Sequence, residues 1–188
     1  MNLIYLLPIG SIEDEVLSVL EQRLHQVLGW EIRRSVPLQM PVTAFNAVRQ
    51  QYEALQVMRA VADVVPSSAK RALGIIQEDL SIPMLTFVFG QAQLQGRVAL
   101  MSLARLRQEF YGLPANKELM MTRTVKEALH ELGHTFGLIH CPTPSCLMTL
   151  ANDVQHVDKK ESAFCGGCSV LLKDTLREFE MNEEKEVL

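Results

Sequence analysis

The stretch His130-Glu131-Leu132-Gly133-His134-Thr135-Phe136-Gly137-Leu138-Ile139-His140 constrains this chain more than any other feature. Two histidines four residues apart on a helix project from one face. Their neutral ring nitrogens can then reach a single zinc ion at about 2 Å. The same helix carries an apolar stripe of Val125, Ala128, Leu129, Leu132 and Phe136, so it must lie against a core. A continued helix would leave His140 on the wrong face, and the chain therefore has to turn sharply after His134. Gly137 supplies the residue that permits positive φ at a helix C-terminus. The turn returns His140 as a third ligand and leaves a fourth position open, which marks a catalytic rather than a structural zinc. Glu131 adjoins the first ligand and can reach a metal-bound water without binding the metal. Zinc lowers the pKa of such water to roughly 7, and Glu131 can take its proton as the water attacks a carbonyl. Read instead as an ordinary core helix, the segment would bury three polar rings with no partner, which is costly.

The four cysteines follow at once, as Cys141-x4-Cys146-x18-Cys165-x2-Cys168 with Gly166-Gly167 inside the last pair. A CxxC with central glycines folds into a tight knuckle that points both sulfurs one way, and two such pairs make a closed tetrahedral thiolate site. Two disulfides, or reactive thiols, are the competing readings. They need an oxidising compartment or exposure, and the N-terminus argues against export. It has no basic n-region, and Pro8-Ile9-Gly10 interrupts its apolar run. A cytoplasmic protein with reduced thiols is expected. His140 and Cys141 are neighbours whose side chains point apart, so they serve different metals. The thiolate site can, however, clamp the backbone that presents His140. Loss of the cysteines is therefore expected to weaken the histidine site.

Composition narrows the function classes. The chain has 188 residues, 48% hydrophobic and 21% charged, with a formal net charge of -4. That is globular composition with no concentrated positive surface for nucleic acid. Arg33-Arg34 and Lys159-Lys160 read as solvated faces, and no segment approaches a membrane span. Apolar periodicity predicts a strand over 2–7 and a helix capped by Ser11 that runs through Leu28 to Gly29. It further predicts a strand over 31–36, a helix over 46–64, and strands over 72–76, 86–92 and 98–103. The last two form a hairpin that turns at Gly96. The histidine helix is expected over 124–137, with Thr124 and Glu127 as a capping box, and a final helix over 166–181. No linker separates independent domains. His25 and His156 read as surface histidines.

Taken together, HExxHxxGxxHC-x4-C-x-M-x16-CxxC over His130 to Cys168 resembles the signature of the archaemetzincins, a family of small zinc metallopeptidases. Phe87 to Ala92, Ser102 to Leu106, Phe110-Tyr111-Gly112, Lys126 to Leu129 and Val157-Asp158-x-Lys160 are also similar to family patterns. The resemblance implies an α/β, metzincin-like fold: a twisted, mixed five-stranded sheet above the active-site helix, with a small C-terminal subdomain holding a structural zinc on the four cysteines. It places about 1–138 in an N-terminal subdomain and 139–188 in a C-terminal one, within a single domain. It makes Met148 the Met-turn residue beneath the catalytic metal. It also implies an antiparallel edge strand that pairs with extended peptide, here Phe87, Val88, Phe89 and Gly90. The expected protein is a monomeric peptidase with two zinc ions and Glu131 as general base, acting on peptides and on neither nucleic acid nor membrane. A zinc-stabilised peptide-binding protein with little turnover is the alternative.

Overall fold

A computed structural model describes residues 2–186, with side chains through Met181. The strand β1 (Leu3–Ile9) and the strand β5 (Arg71–Ile76) are apolar along almost their whole length, the pattern of strands covered on both faces. They lie side by side and parallel at the centre of a five-stranded sheet. The helix α1 (Asp14–Leu28) returns the chain to β2 (Glu31–Arg34), which pairs parallel on the far side of β1. Between β2 and β5 come the short β3 (Phe45–Asn46) and β4 (Gln51–Glu53), then the helix α2 (Ala54–Val64). Next are β6 (Leu80–Ile82), β7 (Leu85–Val88), β8 (Gly90–Ala92) and β9 (Val98–Ser102). The main sheet has the order β2-β1-β5-β9-β8, and only the edge strand β8 runs antiparallel to its neighbour. Three helices complete the chain: α3 (Lys117–Thr135), α4 (Val154–Lys159) and α5 (Gly166–Glu186).

The pleat sorts side chains into two cores. Ile4, Leu6, Leu73, Ile75, Ala99 and Met101 face one way, toward α1 and α3. Leu7, Ile9, Ala72, Ile76, Val98 and Leu100 face the other way, toward α2. The sheet is thus sandwiched between helices, with α3 running beneath it to the edge at β8. Trp30 joins the first core with its ring edge against Phe136 and Phe179, which brings α5 over the end of α3. The Arg71 guanidinium lies over the same two phenylalanine rings, at 4.9 and 4.7 Å from their centroids. Burial holds it below its ordinary pKa, at about 10.

Several expectations change. Pro8 does not stop the first strand: it stands past the last β2 partner, where no N–H is needed, and its carbonyl accepts from Leu38 N at 2.8 Å. Ser11 is not the cap, because α1 starts at Asp14 after Glu13; its end at Gly29 (φ 71°) is as expected. The 46–64 segment is helical only from Ala54. Its first part pairs as β3 and β4 in a second, four-stranded sheet, β3-β4-β6-β7. The 86–92 strand is broken at Phe89, so that Phe87 and Val88 belong to β7 in this second sheet and Gly90 opens β8 in the first. In the β8–β9 turn, Gln95 rather than Gly96 takes the positive φ, at 56°. No helix among the described residues is long and apolar enough to cross a membrane.

Candidate active site

The histidine helix begins earlier than expected. Asn116 caps α3, its side-chain oxygen accepting from Leu119 N at 3.0 Å. Thr124, the expected cap, is interior, and its hydroxyl donates to the Met120 carbonyl at 2.8 Å. Glu127, its expected partner, is also buried mid-helix. The helix ends where the turn argument requires. Gly137 adopts φ 92°, and Leu138 N donates back to the Gly133 carbonyl at 3.0 Å. The β8–β9 turn pins this end from above, with Gln95 N donating to the His134 carbonyl at 3.0 Å.

His130, His134 and His140 converge, with one ring nitrogen from each within 4.8 Å of the others. His130 Nδ1–H donates to the Leu147 carbonyl at 2.9 Å, and His134 Nδ1–H to the Leu138 carbonyl at 2.7 Å. Those bonds assign the proton to Nδ1 and leave both Nε2 atoms as bare lone pairs. The two Nε2 atoms nonetheless face each other at 3.2 Å. Two lone pairs at that distance repel unless a cation stands between them. The separation is close to the roughly 3.3 Å that two nitrogens span on one tetrahedral zinc. The donor set thus fits a divalent metal with nitrogen ligands. Burial lowers the pKa of all three rings, which favours the neutral form that binds metal.

Glu131 is 5% exposed and lies on the same cleft as the histidines. Burial first, and the neighbouring Glu127 second, push its pKa well above the usual carboxylate range. The cleft, of about 550 Å³, runs under the edge strand. Phe87, Val88, Phe89 and Gly90 all line it, although Phe87 and Val88 belong to the second sheet, Gly90 to the first, and Phe89 to neither. Met148 is fully buried, and its Sδ would lie 2.7 Å from a Cβ at Gly133, so it packs directly beneath the histidine helix.

The four cysteine sulfurs lie within 4.8 Å of one another, and Cys141 and Cys165 Sγ are 3.8 Å apart. This is too long for a disulfide, at about 2.05 Å, and close to the roughly 3.8 Å edge of a zinc–tetrathiolate tetrahedron. The backbone N–H of Cys168 holds the Cys165 thiol down at about 7, whereas burial pushes the Cys146 and Cys168 thiols up. The two clusters are joined through the chain at two points. Cys141 follows His140 and donates its N–H to the Met148 carbonyl at 2.9 Å, while Leu147, which accepts from His130, follows Cys146.

Sequence reasoning missed a buried ion pair in the cleft wall. Lys160 Nζ lies 3.3 Å from Glu127 Oε1, with both side chains almost wholly buried. Lys160 is therefore no solvated residue: α4 carries it inward, held to α3 by Lys126 on the Val157 and Asp158 carbonyls and by Arg123 gripping Asp158 with two bonds of 2.7 Å. His25 and His156 are exposed, and neither approaches the donor sets.

A mixed-sheet α/β fold with a three-histidine cluster, an adjacent buried carboxylate and an open cleft defines the metallopeptidase class. Residues 11–174 match the model of peptidase family M54. The archaemetzincin of Methanocaldococcus jannaschii is 39% identical over 168 residues, covering 89% of this chain and 90% of its own. That of Pyrococcus furiosus is 36% identical over 181 residues, with coverage of 93% and 94%. Among solved structures, archaemetzincin from Methanopyrus kandleri superposes with a TM-score of 0.80 at 34% identity, over 94% of this chain and 96% of its own. Archaemetzincin from Archaeoglobus fulgidus, complexed with malonate, gives 0.79 at 34% identity over 90% and 99%. The chain belongs to peptidase family M54, and is a zinc metallopeptidase of the archaemetzincin type.

Proposed function

We propose that this protein hydrolyses peptide bonds with Glu131 as general base, holding one zinc on His130, His134 and His140 and a second, structural zinc on Cys141, Cys146, Cys165 and Cys168. The observation that carries this reading is the pair of unprotonated Nε2 atoms facing each other at 3.2 Å beside a buried carboxylate in an open cleft. Zinc at the histidines supplies a Lewis acid that acidifies water and polarises a carbonyl. The Leu147 and Leu138 carbonyls fix the two rings so that only Nε2 points at the metal position. Glu131 accepts the proton of the attacking water on its carboxylate and returns it to the departing amine. Met148 supports the histidine helix from below. The free edge of β8 offers backbone donors and acceptors to an extended peptide, and the cleft-lining residues from Phe87 to Gly90 bound that groove. In this reading the subdomain boundary falls near residue 138, between the catalytic helix and the thiolate segment.

The test is mass-spectrometric profiling of a diverse peptide library with the zinc-loaded protein and its Glu131→Ala variant. The expected result is cleavage by the wild type only, with zinc content equal in both. Equal cleavage by the two would refute the general-base role. No cleavage by a fully loaded wild type would favour a peptide-binding protein instead.

A further inference from the structure

The edge strand carries a residue whose contribution is the absence of a side chain. Gly90 opens β8 and pairs with Met101 of β9, with ordinary extended backbone that any residue can adopt. A Cβ built on Gly90 would stand 2.6 Å from each of Cγ, Cδ and Oε1 of Glu131. Ordinary contacts of a Cβ lie at 3.4–4 Å. The Glu131 side chain thus occupies the volume that any other residue at position 90 would fill. Among the described residues no side chain or backbone N–H donates a hydrogen bond to its carboxylate. On the strand side, the Glu131 side chain packs against the bare Gly90 backbone.

From this we infer that Gly90 is a positioning residue for the general base: it seats the Glu131 carboxylate against the same strand that borders the substrate groove. The inference rests on the general-base reading of Glu131 given above. A glutamate end is flexible, so an added methyl group displaces it at modest cost in stability. The displacement falls on the reacting atom, however, where a shift of about 1 Å costs on the order of 100-fold in rate. Strand and base also share one reference point. A peptide paired along β8 has the residue beside Gly90 held next to Glu131, so groove register and proton acceptor are set together.

The experiment is a double-mutant cycle of Gly90→Ala and Glu131→Ala. In the zinc-loaded enzyme, Gly90→Ala is expected to lower kcat roughly 100-fold with KM and zinc content little changed. In the metal-free protein, thermal unfolding gives a readout independent of turnover. There Gly90→Ala should lower Tm by roughly 2–6 °C in the Glu131 background, and leave it unchanged in Glu131→Ala, where the overlapping atoms are gone. Equal Tm shifts in both backgrounds, or a kcat within about threefold of wild type, would overturn the proposal. If Gly90→Ala alone fails to fold while the double variant folds, the coupling stands; if neither folds, the strand itself needs glycine and the proposal falls. An active Glu131→Ala would remove the general-base role and leave the stability coupling as a separate fact.

Discussion

Lys160 brings a positive charge into the cleft that also holds Glu131 and the three histidines; it lies 3.3 Å from Glu127, and its field also reaches Glu131. Removing one member of such a pair leaves the other charge buried alone, whereas replacing both with apolar residues is often nearly neutral. Lys160→Met should accordingly cost about 3–5 kcal/mol of stability, and Lys160→Met combined with Glu127→Leu should recover most of it. Urea unfolding of the metal-free proteins measures both, and a double variant no better than the single one would contradict the pairing. The residues to which we assign the chemistry were readable from spacing: three histidines, a glutamate and four cysteines. Lys160 and Glu127 were not, because their meaning is tertiary. Next to Lys159 a lysine looks solvated, and three residues after Thr124 a glutamate looks like a cap. Only the packing of α4 on α3 turns both inward.

Elements repeat that division. The helix α3 was legible in its second half, where the apolar stripe and histidine spacing coincide, and illegible in its first, where Lys117 to Thr122 face α1 and solvent. Its start is set by Asn116, whose removal as Asn116→Ala is expected to cost about 1 kcal/mol, read as a shift in the urea midpoint. A loss at or near zero would mean that the first turn is held by tertiary contacts such as Lys117 with Glu15 on α1. Gly137 is the more sensitive end. An alanine there takes a φ of 92° and places its Cβ 3.1 Å from the Gln95 side chain. Gly137→Ala should destabilise the fold by about 1–3 kcal/mol and weaken zinc binding at the histidines, because His140 depends on that turn. Titration with a chromophoric chelator checks the second part. The second sheet went unseen for a simpler reason. Strands β3, β4, β6 and β7 are two to four residues long, too short for alternation to register against a helical background. The division of 86–92 at Phe89 belongs to the same blind spot: Phe87-Val88-Phe89 runs apolar up to the break, while hydrogen bonding hands the chain from one sheet to another.

At the scale of the molecule, the two donor sets form a chain of dependence. His140 is bonded to Cys141, and the carbonyl that orients His130 belongs to the residue after Cys146. Cys165→Ser is therefore expected to abolish the thiolate metal and to weaken zinc at the histidines by about tenfold or more. Competition with a chelator for the histidine zinc measures this, and an unchanged affinity would show the sites to be independent. The mixed sheet and its catalytic helix followed from the family resemblance and from the apolar runs of β1, β5 and β9. The sandwich of α2 against α1 and α3 needed the strand order, which periodicity does not contain.

The same dependence gives metal uptake a sequence in time. His130 and His134 sit on one helix, already 3.2 Å apart at Nε2, whereas the Leu147 carbonyl and His140 are delivered by the segment that the thiolates draw together. If the proposed coupling holds, a metal-starved protein is expected to fill the histidine position completely only after the cysteines have closed. Stopped-flow loading should then show a slow phase at the histidines that tracks occupancy of the thiolates. An agent that oxidises those sulfurs would silence the enzyme without touching a residue of its catalytic centre.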